Sequence, residues 1–180
     1  MPELLSGRTQ IVGVMGWPVA HSVSPPMHNA ALRALGMDWA YIPLPVAPER
    51  LAEAVRGARA LGLRGFNATV PHKHALLALV DELTPAARAI GAVNTVVIRE
   101  GGGLLGHNTD AGGFLRALRE AGCAPEGRAA LTLGAGGAAR AVVYALASIG
   151  AQVTICNRTP ARAEALADEM RRAVAGATIQ

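Results

Sequence analysis

The sequence contains a single lysine. Of its 17 basic residues in 180, 16 are arginine and the exception is Lys73. Arginine keeps its proton under all protein conditions, whereas lysine can release one. Lys73 is therefore a candidate for proton transfer or for a compact point charge, although a lone lysine is also an ordinary surface residue. Serine is nearly as scarce, yet two of the four serines fall together as Ser22 and Ser24. Aromatic residues make up only 3% of the chain, and the net charge of +4 comes from dispersed arginines. That combination argues against a nucleic-acid partner, whose bases need stacking platforms, and suits small anionic ligands instead. The two cysteines, Cys123 and Cys156, are too few for a disulfide framework and are not spaced as a metal pair, so both are read as reduced thiols. No apolar run reaches the roughly 20 residues that a membrane span needs, and the N-terminus lacks a basic segment followed by an apolar core. No membrane association is expected, and the location expected is the cytoplasm.

What is present is apolar residue in quantity, 51% of the chain, enough for a sizeable core. Short β-branched or Gly/Pro-bounded runs predict strands at Ile11–Met15, Trp39–Leu44, Gly65–Val70, Val93–Ile98, Leu104–Gly106, Ala129–Leu133 and Val153–Cys156. Helical spacing predicts helices at Pro25–Leu35, Glu49–Leu61, Lys73–Val80, Gly112–Ala121, Ala138–Ser148 and Pro160–Ala173. Alternation of the two indicates an α/β fold with mostly parallel sheets covered by helices. Glu100–Gly103 reads as a hairpin turn, and Ala177–Gln180 as the opening of another strand. The expected organisation is a substrate-binding and catalytic domain over residues 1–110, a connecting helix and turn over 111–127, and a partial Rossmann-like dinucleotide-binding domain over 128–180.

The second domain rests on the run Gly134-Ala135-Gly136-Gly137-Ala138-Ala139, which follows a strand and opens a helix. In that setting Gly134 permits a tight turn, Gly136 lets a pyrophosphate approach the backbone, and the small Ala139 allows close helix–strand packing. The helix N-terminus adds amide donors and a favourable dipole. After the next strand come Asn157-Arg158-Thr159, where dinucleotide folds meet the ribose 2′ position. Cofactors without a 2′-phosphate are usually met there by Asp or Glu. An arginine fork fits a phosphate, so NADP is the expected cofactor. Thr159-Pro160 also reads as an N-cap with proline at the first helical position.

The first domain offers four polar clusters. In His21-Ser22-Val23-Ser24-Pro25, an extended segment would point both serine hydroxyls one way, toward one carboxylate, although Ser24 also fits an N-cap. In Asn67-Ala68-Thr69-Val70-Pro71-His72-Lys73, a period of two sets Asn67 and Thr69 on one face. Proline keeps Val70 extended, and Lys73 arrives past the strand's C-terminal end, where open α/β sheets hold ligands. His72 and His74 lack acidic or cysteine partners for a metal and read as solvated, so no metal site is expected. Asn94 stands where a strand begins, either binding or satisfying a turn, and Asp110 precedes a helix, as a cap or as a functional carboxylate.

Taken in order, six segments resemble the shikimate dehydrogenase family, over Gly13 to about Arg162. They are Gly16–Asn29, Phe66–Lys73, Gly91–Thr95, Gly106–Asp110, the glycine turn and Asn157–Thr159. The resemblance implies that Ser22 and Ser24 hold a substrate carboxylate, and that Asn67, Thr69, Asn94 and Asp110 bind ring hydroxyls. It implies Lys73 and Asp110 as the catalytic pair, with Asn157, Arg158 and Thr159 at the adenosine phosphate. The implied reaction is the NADPH-dependent, reversible reduction of 3-dehydroshikimate in chorismate biosynthesis, by a monomer or homodimer. A quinate/shikimate dehydrogenase, or a non-catalytic shikimate- or NADP-binding module, is the alternative. Members of this family carry a longer chain, by roughly a third, so this length on its own is expected to be weakly active or inactive.

Overall fold

The computed structural model describes residues 5–180. The chain forms two compact units, and the first comprises residues 5–83 and 93–107. Its sheet has the order β2-β1-β3-β5-β6-β4, built from β1 (Gln10–Gly16), β2 (Trp39–Pro45), β3 (Gly65–Ala68), β4 (Glu82–Leu83), β5 (Thr95–Ile98) and β6 (Leu104–His107). The pairs β1–β2, β1–β3 and β4–β6 are parallel. The pairs β3–β5 and β5–β6 are antiparallel, and the latter is the expected hairpin. Parallel neighbours need crossovers, which α1 (Ser24–Ala34) and α2 (Leu51–Ala60) supply. Leu51, Val55 and Ala58 recur along one stripe of α2, and all three are buried.

The segment after β3 departs from expectation. A helix over Lys73–Val80 is not formed; a turn at Val70–His74 leads into a single 3₁₀ turn at Ala75–Ala78. The His72 amide donates to the Thr69 carbonyl, which closes the chain into a turn, and Val70 is not part of the strand. Both Trp17–Pro18 and Val70–Pro71 are cis peptides. His72, expected in solvent, is only 1% exposed and its Nε2 lies 2.8 Å from the Val46 carbonyl. A buried ring nitrogen needs such a partner, and a carbonyl oxygen makes the imidazole its donor.

The second unit comprises residues 84–92 and 108–180. It holds α3 (Pro85–Ile90), α4 (Asp110–Glu120), β7 (Ala129–Leu133), α5 (Gly137–Ser148), β8 (Gln152–Cys156) and α6 (Pro160–Ala173). The strands β7 and β8 are parallel, and Ile179 bridges in parallel to Val153 on the far edge of β8. Val143, Leu146, Val153, Leu166 and Met170 form its core, and a smaller cluster joins Ile90 and Ala92 to Ala111, Ala141 and Ala145. Residues 84–92 thus group with the cofactor-type fold although they lie between two strands of the first sheet, and 111–127 is part of the second unit. Among the described residues no helix is long and apolar enough to cross a membrane.

Candidate active site

In the first unit a polar chain crosses the face of the sheet. Tyr41 on β2 pairs with Val12 of β1, and Asn67 on β3 pairs with both Val14 of β1 and Thr95 of β5. Residues in register share a face, so the Tyr41 phenol reaches over β1 toward Asn67. Its hydroxyl donates to Asn67 Oδ1 at 2.7 Å. Asn67 Nδ2 donates to Thr95 Oγ1 at 2.9 Å and to the Asn94 carbonyl at 3.3 Å. Thr95 Oγ1 in turn donates to Asn94 Oδ1 at 3.0 Å. The Ser24 side chain lies near the Tyr41 phenol and favours its ionised form.

Tyr41 is held from three sides. His28 of α1 stacks on its ring, with centroids 4.2 Å apart and planes 11° off parallel. The Asn29 amide brackets the Tyr41 backbone, accepting from its N–H at 2.9 Å and donating to its carbonyl at 2.8 Å. Only 4% of Tyr41 is exposed. Burial pushes the phenol up to about 12, and the Ser24 hydroxyl pulls it back in part. The phenol therefore stays protonated and acts as a donor throughout the physiological range.

The serines do not sit as an extended pair. Val23 is helical in its backbone angles, the Ser22 amide donates to Val19, and α1 begins at Ser24 itself. Ser24 is not the N-cap. Instead Ser22 Oγ accepts from the Ser24 amide at 3.2 Å, so Ser22 secures the first turn and Ser24 is left facing Tyr41. Asn94 is buried at 8% exposure just before β5, where its amide donates to His107 and its carbonyl accepts from Ala68. The Thr69 amide donates to the Met15 carbonyl, which extends the β1 pairing past the end of β3. Its side chain packs where any Cβ on Gly16 would lie, 2.5 Å from Thr69 Cγ2. Lys73 lies in the turn after β3, half-buried, with its carbonyl accepting from Val93.

Sequence reasoning missed Tyr41 and Thr95, which bond to Asn67 from either side. A signal existed for the first: a chain with two tyrosines places one in a strand, and a buried tyrosine needs a partner for its hydroxyl.

In the second unit Asp110 is the first residue of α4, after an N-cap at Thr109 that makes no side-chain cap bond. The cap is provided by Asn108, whose Oδ1 accepts from the Asp110 amide at 3.0 Å while its Nδ2 donates to Ala92. A carboxylate in a first helical turn meets the positive end of the helix dipole. The glycine run forms the strand–turn–helix expected of it. Gly134 has φ +107, a conformation open to glycine, and its amide donates to the Cys156 carbonyl at 2.7 Å. Gly136 precedes α5, and a Cβ there would meet open space, so the backbone is approachable from outside. Ala135 packs on the core, and Gly137, Ala138 and Ala139 form the first turn, whose amides lack acceptors within the helix. Past β8, Asn157 Nδ2 donates to the Thr159 carbonyl at 2.9 Å, and Arg158 is exposed. Thr159 is the N-cap of α6 with Pro160 next, though it caps by position and backbone only.

Both units resemble known proteins. Residues 14–96 match the shikimate dehydrogenase substrate binding domain, and residues 117–179 match the shikimate / quinate 5-dehydrogenase family. Shikimate dehydrogenase (NADP(+)) of Citrifermentans bemidjiense is 55% identical over 174 residues, which is 96% of this chain and 60% of that protein. The chain belongs to the shikimate dehydrogenase family. Shikimate 5-dehydrogenase of Thermus thermophilus, solved in complex with NADP(H) and shikimate, is 46% identical with a TM-score of 0.85, covering 95% of this chain and 62% of that one. A family resemblance of this kind does not by itself fix the substrate. The 5-ketofructose reductase of Gluconobacter sp. strain CHM43 is 41% identical with a TM-score of 0.86, covering 97% of this chain and 62% of that one. The chain spans about 60% of the length of the curated shikimate dehydrogenases it matches, a larger shortfall than the sequence reading expected.

Proposed function

We propose that this chain belongs to an NADP-dependent shikimate dehydrogenase, which reduces 3-dehydroshikimate reversibly to shikimate. The observation that carries the reading is the joined polar array of the first unit, where Asn67 and Asn94 are held in one hydrogen-bond chain by Tyr41 and Thr95. Such an array matches a ligand bearing several hydroxyls, each of which needs a partner of defined polarity. Ser22 and Ser24 receive the carboxylate in this reading, and Asn67, Thr69, Asn94 and Asp110 receive ring hydroxyls.

The second unit fits the dinucleotide. The open space over Gly136 admits a pyrophosphate against the first amides of α5, and Arg158 with Asn157 and Thr159 lies where a 2′-phosphate needs a cation. When bound, NADPH supplies the hydride. The chain's own task is the proton and the geometry. As an ammonium, Lys73 polarises the ketone oxygen and donates a proton to it; in the reverse direction neutral Lys73 accepts the hydroxyl proton. Asp110 is the second member of the catalytic pair in this reading and holds a substrate hydroxyl. The enzyme so read is cytoplasmic, and a monomer or homodimer.

Calorimetry with shikimate and with NADP⁺ tests the reading directly, since it needs no turnover; a chain that binds neither contradicts it. In an active chain, Lys73→Arg keeps charge without a transferable proton. It should retain shikimate binding while losing roughly 10²–10⁴-fold in turnover, the usual contribution of a general acid. A quinate/shikimate dehydrogenase is the second reading, favoured by the double name of the family matched over residues 117–179. Comparing both substrates with NAD⁺ and NADP⁺ separates the two.

A further inference from the structure

The polarity of the array is fixed at one end. Asn67 could in principle be flipped, with its nitrogen toward Tyr41 and its oxygen toward Thr95, because hydroxyls can either donate or accept. The Asn94 backbone carbonyl removes that freedom. It can only accept, so the Asn67 atom facing it at 3.3 Å must be the amide nitrogen. Asn67 Oδ1 therefore faces Tyr41, and at 2.7 Å the phenol must be the donor. The phenol has a single proton. Having spent it on Asn67, its oxygen has only acceptor capacity left. On the other side, Thr95 Oγ1 accepts from Asn67 and so gives its own proton to Asn94 Oδ1.

The consequence falls on Asn67. Both of its amide protons are committed, to Thr95 and to the Asn94 carbonyl, and one lone pair of Oδ1 is committed to Tyr41. What it has left is the second lone pair of Oδ1, an acceptor. We propose that Tyr41 is a positioning residue of the substrate site: the Asn94 carbonyl fixes which way the Asn67 amide faces, and the Tyr41 phenol holds its Oδ1 in place, so that Asn67 presents an acceptor, and only an acceptor, to a ring hydroxyl. The inference rests on the reading that Asn67 touches substrate. Tyr41 is suited to this: it is stacked on His28 and its backbone is clamped by Asn29, so the phenol cannot swing away from the amide. Without the phenol the Asn67 oxygen loses its buried donor, and the side chain is held only through its amide nitrogen, by Thr95 and the Asn94 carbonyl.

A double-mutant cycle tests this, with shikimate as the titrant and NADP⁺ binding as the control for an intact fold. Asn67→Ala should weaken shikimate binding, which tests the underlying reading. Tyr41→Phe should weaken it by about tenfold, the equivalent of one buried hydrogen-bonding group left without its partner, while NADP⁺ binding is unchanged. In the Asn67→Ala background, Tyr41→Phe should have no further effect on shikimate. Full additivity of the two substitutions, or unchanged shikimate binding in Tyr41→Phe alone, overturns the role of Tyr41. Unchanged binding in Asn67→Ala overturns the reading beneath it, and the proposal with it. If Tyr41→Phe does not fold, proton NMR of the unsubstituted protein decides. A slowly exchanging phenolic proton on Tyr41 and a protected Asn67 side-chain amide are expected; a freely exchanging Asn67 amide overturns the lock.

Discussion

Gly16 and Thr69 meet at the ends of β1 and β3, and the fit between them leaves no room for a methyl group. A Cβ at position 16 would stand 2.5 Å from Thr69 Cγ2, closer than real carbon contacts come. Gly16→Ala must then displace a side chain whose amide is tied to Met15, and overpacking of this kind costs about 1–3 kcal/mol. Thr69→Ser removes the offending Cγ2 and keeps the hydroxyl. The double variant Gly16→Ala/Thr69→Ser should therefore be more stable than Gly16→Ala alone in urea denaturation, and a double variant no better than the single one would rule out this contact as the cause. At this scale the sequence drew attention to residues that composition or position made conspicuous. Lys73, Ser22 and Ser24 stood out by rarity, and Gly134 by its position between strand and helix. Tyr41 and Thr95 did not, because they join through Asn67, 26 and 28 residues away in the chain, by a register that no local pattern specifies.

The elements tell a similar story, with a different cause for each miss. The two-residue β4 has no periodicity to detect, and the stretch after β3 has helical composition but is turned by the bond from His72 to Thr69 and by burial of the His72 ring. The short helix α3 was legible and went unread. Thr84 Oγ1 accepts from the Ala87 amide, Pro85 follows at the first helical position, and Gly91 closes the helix at φ +68. This helix is anchored through its C-terminal end by Arg140 of α5. The Arg140 Nε donates to the Ile90 carbonyl at 2.7 Å, its guanidinium pairs with Glu169 of α6, and only 14% of its side chain is exposed. Gly91 leaves the space that the guanidinium fills. Arg140→Ala should therefore orphan a helix-end carbonyl and leave a void, destabilising the second unit by roughly 1–3 kcal/mol. Arg140→Lys should recover little of this, since a point charge cannot serve carbonyl and carboxylate in the same fork. Glu169→Gln should cost far less, because that carboxylate is 43% exposed and screened by solvent. Denaturation of the three variants gives the order directly; a Glu169→Gln loss as large as that of Arg140→Ala would shift the weight from the carbonyl to the ion pair.

For the molecule as a whole, the fold class was readable because strand and helix alternate, but the division of the chain was not. A boundary drawn along the sequence assumes that each unit is continuous, whereas residues 84–92 leave the first unit, pack Ile90 and Ala92 on Ala111, Ala141 and Ala145, and are followed by a return to β5. Stability should follow the packing and not the sequence. A ligand that binds only the folded form of a unit protects all of that unit against opening, by an amount set by its concentration over its dissociation constant. NADP⁺, on the function proposed, binds the turn between β7 and α5. Its addition should slow amide hydrogen exchange in α3 together with α5 and α6, although α3 is about 45 residues before the glycine turn. Shikimate alone should slow exchange chiefly in β1, β3 and β5, on either side of α3 in the sequence. If α3 instead gains protection with its sequence neighbours β3 and β5 under shikimate, and none under NADP⁺, then the Ile90–Arg140 attachment is too weak to carry cooperativity. In that case α3 opens independently of the unit it packs on.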